Sequence, residues 1–87
     1  LHYKLKYHPD VRNIDIPKLD NTIKERIKKA IETRLIIAPQ DYGKPLRKTL
    51  SGYWKLRVGD YRIVFKIANN TILILGICHR KEVGSYG

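Results

Sequence analysis

The chain has 87 residues, enough for one small domain near the lower size at which a single core is stable without staples. A hydrophobic fraction of 43% argues against disorder, and no apolar run reaches the roughly 18 residues that span a bilayer. Eighteen Lys and Arg against eight Asp and Glu give a net charge of +10, which in so small a domain suggests a polyanionic partner: nucleic acid, an acidic protein segment or an anionic membrane. The single Cys78 cannot form an internal disulfide. With three scattered His it offers no metal-ligand constellation, so no cofactor is expected and a reducing, cytosolic compartment is the simplest reading. No signal peptide is visible, and the absence of Met predicts that residue 1 is not the native start.

Residues 2 to 8 alternate strictly, with Tyr3, Leu5 and Tyr7 on one face, as a half-buried strand does. Pro9 suits the first position of a helix and Asp10 its first turn. Val11 and Ile14 are spaced for one helical face, and Pro17 then interrupts, so the pattern predicts a short helix over about 9 to 15 and a bend. A longer helix begins near Asp20, capped either by Asp20 itself or by Thr22 with Glu25 closing a capping box. Ile23, Ile27, Ala30, Ile31 and Leu35 form its apolar stripe, with Lys24, Glu25, Lys28, Lys29 and Glu32 on the polar side, and Pro39 ends it by Ile37 or Ala38.

Residues 38 to 45 read as loop, and Leu46 to Leu50 as either an approach strand or extended chain. From Gly52 to Ile67 two alternating runs flank Val58-Gly59-Asp60, the signature of a hairpin. Trp54, Leu56 and Val58 share one face of its first strand and Tyr53, Lys55 and Arg57 the other. Past the turn, Tyr61, Ile63 and Phe65 alternate with Arg62, Val64 and Lys66. Asn69-Asn70 marks a second tight turn, and Thr71 to Cys78 is the continuous apolar run of a strand buried on both faces. The order β-α-α-β-β-β predicts an α+β fold, one domain over residues 1 to 87, with two N-terminal helices on one face of a mainly antiparallel sheet.

Lys55, Arg57, Arg62, His79, Arg80 and Tyr86 are the cations, imidazole and aromatic that this order gathers at the sheet ends, with Lys28 and Lys29 on the helix and Lys48 before the hairpin as further phosphate-contacting candidates. Each also has a plainer reading. The strand cations can be a solvated face, and Arg62 and Arg80 can pair with Asp60 and Glu82 as surface ions.

Lys44-Pro-Leu, then Leu50-Ser-Gly-Tyr-Trp-Lys-Leu-Arg-Val-Gly-Asp-Tyr-Arg-Ile-Val-Phe, and later Gly76-Ile-Cys-His-Arg-Lys-Glu-Val83 resemble the RelE/ParE toxin superfamily, most strongly its RelE branch. The resemblance covers nearly the whole chain. It implies the toxin of a type II toxin–antitoxin pair that cleaves messenger RNA in the ribosomal A site, together with an acidic, RelB-like antitoxin that wraps and blocks it. Such cleavage uses the 2′-hydroxyl as nucleophile, and needs a proton acceptor, cations for the phosphorane charge and a donor for the leaving 5′-oxygen. By this resemblance Lys55 matches a catalytic lysine, Arg62 the phosphate-stabilising arginine, Arg80 the arginine that assists the leaving group, and Tyr86 a stacking or acid/base tyrosine. Arg57 is assigned to phosphate. Tyr53 stands where such enzymes carry a second lysine and is an RNA-binding candidate whose ring can stack on a base, Gly84 stands where many relatives carry a tyrosine, and His79 precedes Arg80 as in relatives with a histidine acid or base. Two alternatives keep the fold: a ParE-like inhibitor of DNA gyrase without nuclease activity, and an inert relative that only binds an antitoxin or nucleic acid.

Overall fold

A computed structural model describes residues 2–46 and 52–81. Strand β1 (Lys4–Tyr7) leads into a π turn over Val11–Asp15 and a 3-10 turn over Ile16–Lys18. Helix α1 (Asn21–Ala30) continues as a π turn over Ile31–Leu35, and α2 (Pro39–Tyr42) is a single further turn. Strands β2 (Lys44–Pro45), β3 (Tyr53–Val58), β4 (Tyr61–Ala68) and β5 (Thr71–His79) complete a sheet of order β1-β5-β4-β3-β2. Only β1 and β5 are parallel, because the helical segment between β1 and the meander returns the chain to the far side of the sheet. The α+β expectation holds, with β2 and α2 added.

The core lies between the helices and one sheet face. Val11, Leu19, Ile27, Ala30, Ile31 and Leu35 pack on Leu56, Val58, Ile63, Phe65, Ile72, Ile74 and Ile77, with Tyr3, Leu5 and Tyr7 at its margin. A β-bulge between Val64 and Phe65 sets Leu75 outside the β4–β5 register, so Ile77 and Ile74 both reach the core face although they are an odd number of residues apart. Asn69, with φ of 56°, supplies the left-handed residue of the β4–β5 turn.

Asp20 is the N-cap of α1: its Oδ1 accepts from the Ile23 amide at 2.9 Å, which decides between the two caps the sequence allowed. The first helical segment lies where expected, with helical winding over residues 9 to 15, but its faces and the part played by Pro17 differ. Pro17 does not break it but sits in the 3-10 turn, and Ile14 is 47% exposed while Val11 is fully buried. In a π turn the hydrogen bond spans five residues, here from the Ile16 amide to the Val11 carbonyl, so the spacing of three that aligned Ile14 with Val11 no longer holds. Asp15 faces the sheet instead, and its Oδ2 accepts from the Ile77 amide at 3.0 Å. That carboxylate serves an edge: β1 pairs with β5 only as far as Ile74, and Ile77 lies beyond it. Pro39 likewise opens a helical turn at its tolerated first position, where the sequence suggested loop.

Candidate phosphate-binding site

Cross-strand partners share a face, so the register assigns every strand residue. Arg57 pairs with Arg62, and Arg62 with Cys78, all on the face away from the helices. Lys55 pairs with Val64 on one side and with Lys44 on the other. Two directly opposed pairs of like charge thus stand on neighbouring strands. Each is unfavourable for folding by a few tenths of a kcal/mol on the order seen for such pairs, so an anion that binds between them relieves repulsion.

These four cations line one notch of about 310 Å³ at the β2–β3 edge, with Arg34 from the π turn after α1 and Tyr42 from α2. Among the described residues no Asp or Glu lines it. Its far wall depends on Gly43. A Cβ there would lie 2.7 Å from Phe65 Cζ and 2.8 Å from the Pro39 carbonyl oxygen, so only glycine lets the chain cross the core aromatic closely enough for Lys44 to reach Lys55. Tyr42, 51% exposed, leaves its ring free at the rim. The Arg57 Nε donates to the Gly59 carbonyl at 3.2 Å, which orients that guanidinium along the turn.

The structure brings Lys55, Arg57 and Arg62 together as expected. Tyr53 shares their face, two residues from Lys55, with the Lys66 ammonium 5.8 Å from its ring centroid. Arg80 follows β5; its amide donates to the Asp60 carbonyl at 2.7 Å, and its Nε lies 3.8 Å from Asp60 Oδ1. The pair is exposed on both sides and of little energetic weight, so Arg80 is tethered near the hairpin turn without being locked.

His79 stands apart. It pairs with Tyr61, contacts that ring edge-on at 5.1 Å and projects from the helix-bearing face, opposite to Arg62. Its Nδ1 accepts from the Lys81 amide at 3.2 Å. Lys28 lies on the other flank of α1, beside an apolar groove with Tyr7, Ile27 and Ile77. Lys48 and Tyr86 fall outside the described residues. Among the described residues no three His, Cys, Asp or Glu converge as metal ligands.

Arg34, Lys44 and Tyr42 went unnoticed in the sequence as site residues. Lys44 carries a signal in hindsight, a cation next to a turn glycine and two proline-flanked elements, but its partner across the sheet is visible only from the register.

Comparison with known proteins agrees with this architecture. Residues 5–84 match the model of the ParE toxin of type II toxin–antitoxin systems. Toxin RelG of Mycobacterium tuberculosis is 38% identical over 47 residues, and the match spans about half of each protein, 52% of this chain and 54% of RelG. The toxin–antitoxin complex RelBE2 from the same organism contains a chain that superposes with a TM-score of 0.85 at 30% identity, covering 92% of this chain and 100% of that one. A free Escherichia coli RelE mutant shares the fold at a TM-score of 0.74 and 20% identity, over 99% of this chain and 90% of its own. The chain belongs to the ParE toxin family, is RelE-like within the RelE/ParE superfamily, and is a toxin of the type II toxin–antitoxin class.

Proposed function

We propose that this toxin is an endoribonuclease that cuts messenger RNA in the ribosomal A site and is held in check by a RelB-like antitoxin. The observation that carries the reading is the cation-lined notch in which Lys44 opposes Lys55 and Arg57 opposes Arg62. A site built from repelling cations is suited to a phosphodiester that gains negative charge on the way to a phosphorane. In the proposed reaction the 2′-hydroxyl attacks the adjacent phosphorus, the bond to the 5′-oxygen breaks, and a 2′,3′-cyclic phosphate and a 5′-hydroxyl result. Lys55 accepts the 2′-hydroxyl proton, while Arg57 and Arg62 hold the non-bridging oxygens. Arg80, released from Asp60, stabilises the negative charge of the leaving 5′-oxygen, which takes its proton from the Tyr86 phenol, the acid/base group that the resemblance suggests. Tyr42 offers a ring for a base to stack on. His79 has no step here, since the sheet lies between it and Arg62.

The decisive assay uses purified ribosomes programmed with a defined codon in an empty A site, with free RNA as control. Wild type should cleave on the ribosome and poorly off it, and Arg62→Ala or Lys55→Ala should slow the step by about 10²-fold or more. A folded wild type that leaves the message intact would overturn the nuclease reading. The second reading, a ParE-like gyrase inhibitor, is favoured by the description of the matching family, and inhibition of gyrase supercoiling by the same sample would establish it.

A further inference from the structure

We propose that the cleft between α1 and the β3–β4 turn is a second phosphate-binding site, which takes the backbone of the same RNA strand beyond the scissile phosphate. The inference rests on the reading of the notch as an RNA site and extends it to a separate set of residues. The cleft has a volume of about 370 Å³ and is lined by Arg26, Lys29, Thr33 and Arg34 on the helix side and by Arg57 and Gly59 on the hairpin.

Charge is segregated on the helix that forms it. Arg26, Lys29, Thr33 and Arg34 recur at three, four and one residues and share one flank, whereas Lys24, Glu25 and Lys28 line the groove on the other. Glu32 is on that far side too, close enough to Tyr7 to raise its pKa. Every helix carboxylate therefore points away from the cleft, which a merely solvated surface does not require.

Arg26 reaches across to the hairpin turn. Its guanidinium lies against Gly59, where a Cβ would stand 3.1 Å from Nη2, and Gly59 has a φ of 61° that favours glycine on its own account. The residue that shapes the hairpin turn thus also admits the cation. Arg34 and Arg57 line both the cleft and the notch, so the two form one track. From Arg26 to Arg34 the helix advances about 12 Å, long enough to run beside more than one phosphate of a single strand.

An acidic polypeptide is the competing occupant. RNA is favoured because, among the described residues, the cleft lacks what a segment that folds on binding needs: its apolar lining there is Ala30 and Val58, both buried. A strand of phosphates needs cations at intervals and no apolar floor.

The test compares Arg26→Gln/Lys29→Gln with Lys18→Gln/Lys24→Gln, which removes equal charge away from the cleft. Thermal unfolding confirms that both variants fold. Affinity for an uncleavable 2′-O-methyl RNA of about ten nucleotides is measured by fluorescence anisotropy across a salt series. The cleft variant should bind about tenfold more weakly, with a salt slope shallower by about 1.4, the value for two lost single-strand phosphate contacts. The control should fall measurably less on both counts. Equal losses in the two variants would overturn the proposal in favour of general charge. An unchanged RNA affinity with weakened binding of the antitoxin would overturn it in favour of a peptide. The binding readout needs no cleavage: an inactive wild type whose cleft variant still loses RNA selectively would sink the nuclease reading alone, and an active wild type with equal losses would sink the cleft alone.

Discussion

Single residues govern how close the cations of the notch come. Gly43 is the most exacting, since any Cβ meets both Phe65 and the Pro39 carbonyl. Gly43→Ala should destabilise by about 1–3 kcal/mol, as small-to-large changes in packed interiors do, and lower the urea midpoint at an unchanged slope. Tyr7 makes a separate case. Burial first, and then the nearby Glu32 carboxylate, raise its pKa, against a smaller lowering by Arg12. A phenol whose folded-state pKa exceeds its unfolded value contributes stability that is full below the unfolded value near 10 and is lost as pH rises through the folded one. Wild type should therefore lose stability above pH 10 more steeply than Tyr7→Phe, in paired denaturant titrations.

At the scale of elements, the hairpin and α1 were legible because their signals are local. Alternation set the faces of β3 and β4, and Asp20 with the stripe from Ile23 to Leu35 set the helix. The first helical segment is legible in position, over about 9 to 15, but not in winding, since nothing in Val11 to Asp15 announces a π turn. The Ile77 amide, beyond the end of β1, has no β1 carbonyl to donate to, and the Asp15 carboxylate at the end of the turn accepts from it instead. Asp15→Ala should cost about 1–3 kcal/mol for the unsatisfied amide and speed hydrogen exchange at Ile77. Asp15→Asn, which retains an acceptor, should lose less than half as much.

For the whole molecule, sheet order and net charge act together. The parallel β1–β5 pair puts the meander on one side, so that β3 lies near the edge and its cations open to the surface beside β2. A body of net charge +10 also steers an acidic partner from a distance. Coexpressed with a RelB-like antitoxin, the chain should elute as one complex. Its association rate should fall by about tenfold or more between low and physiological salt in stopped-flow mixing. A rate insensitive to salt would show that steering plays no part.

The sequence alone determined the elements that local chemistry specifies: the strands by alternation, the helix by its cap and stripe, the turns by Gly59 and Asn69. It also placed Lys55, Arg57 and Arg62 on one face, since a tight hairpin leaves no other register. Tertiary structure decided what depends on distant partners. It opposed Lys44 to Lys55, brought Arg34 and Tyr42 to the same notch, turned Asp15 inward and set His79 on the far face. Period and propensity fix a residue's neighbours within one element. Which elements lie side by side is fixed by packing of the shared core, and no single stretch of chain carries that information.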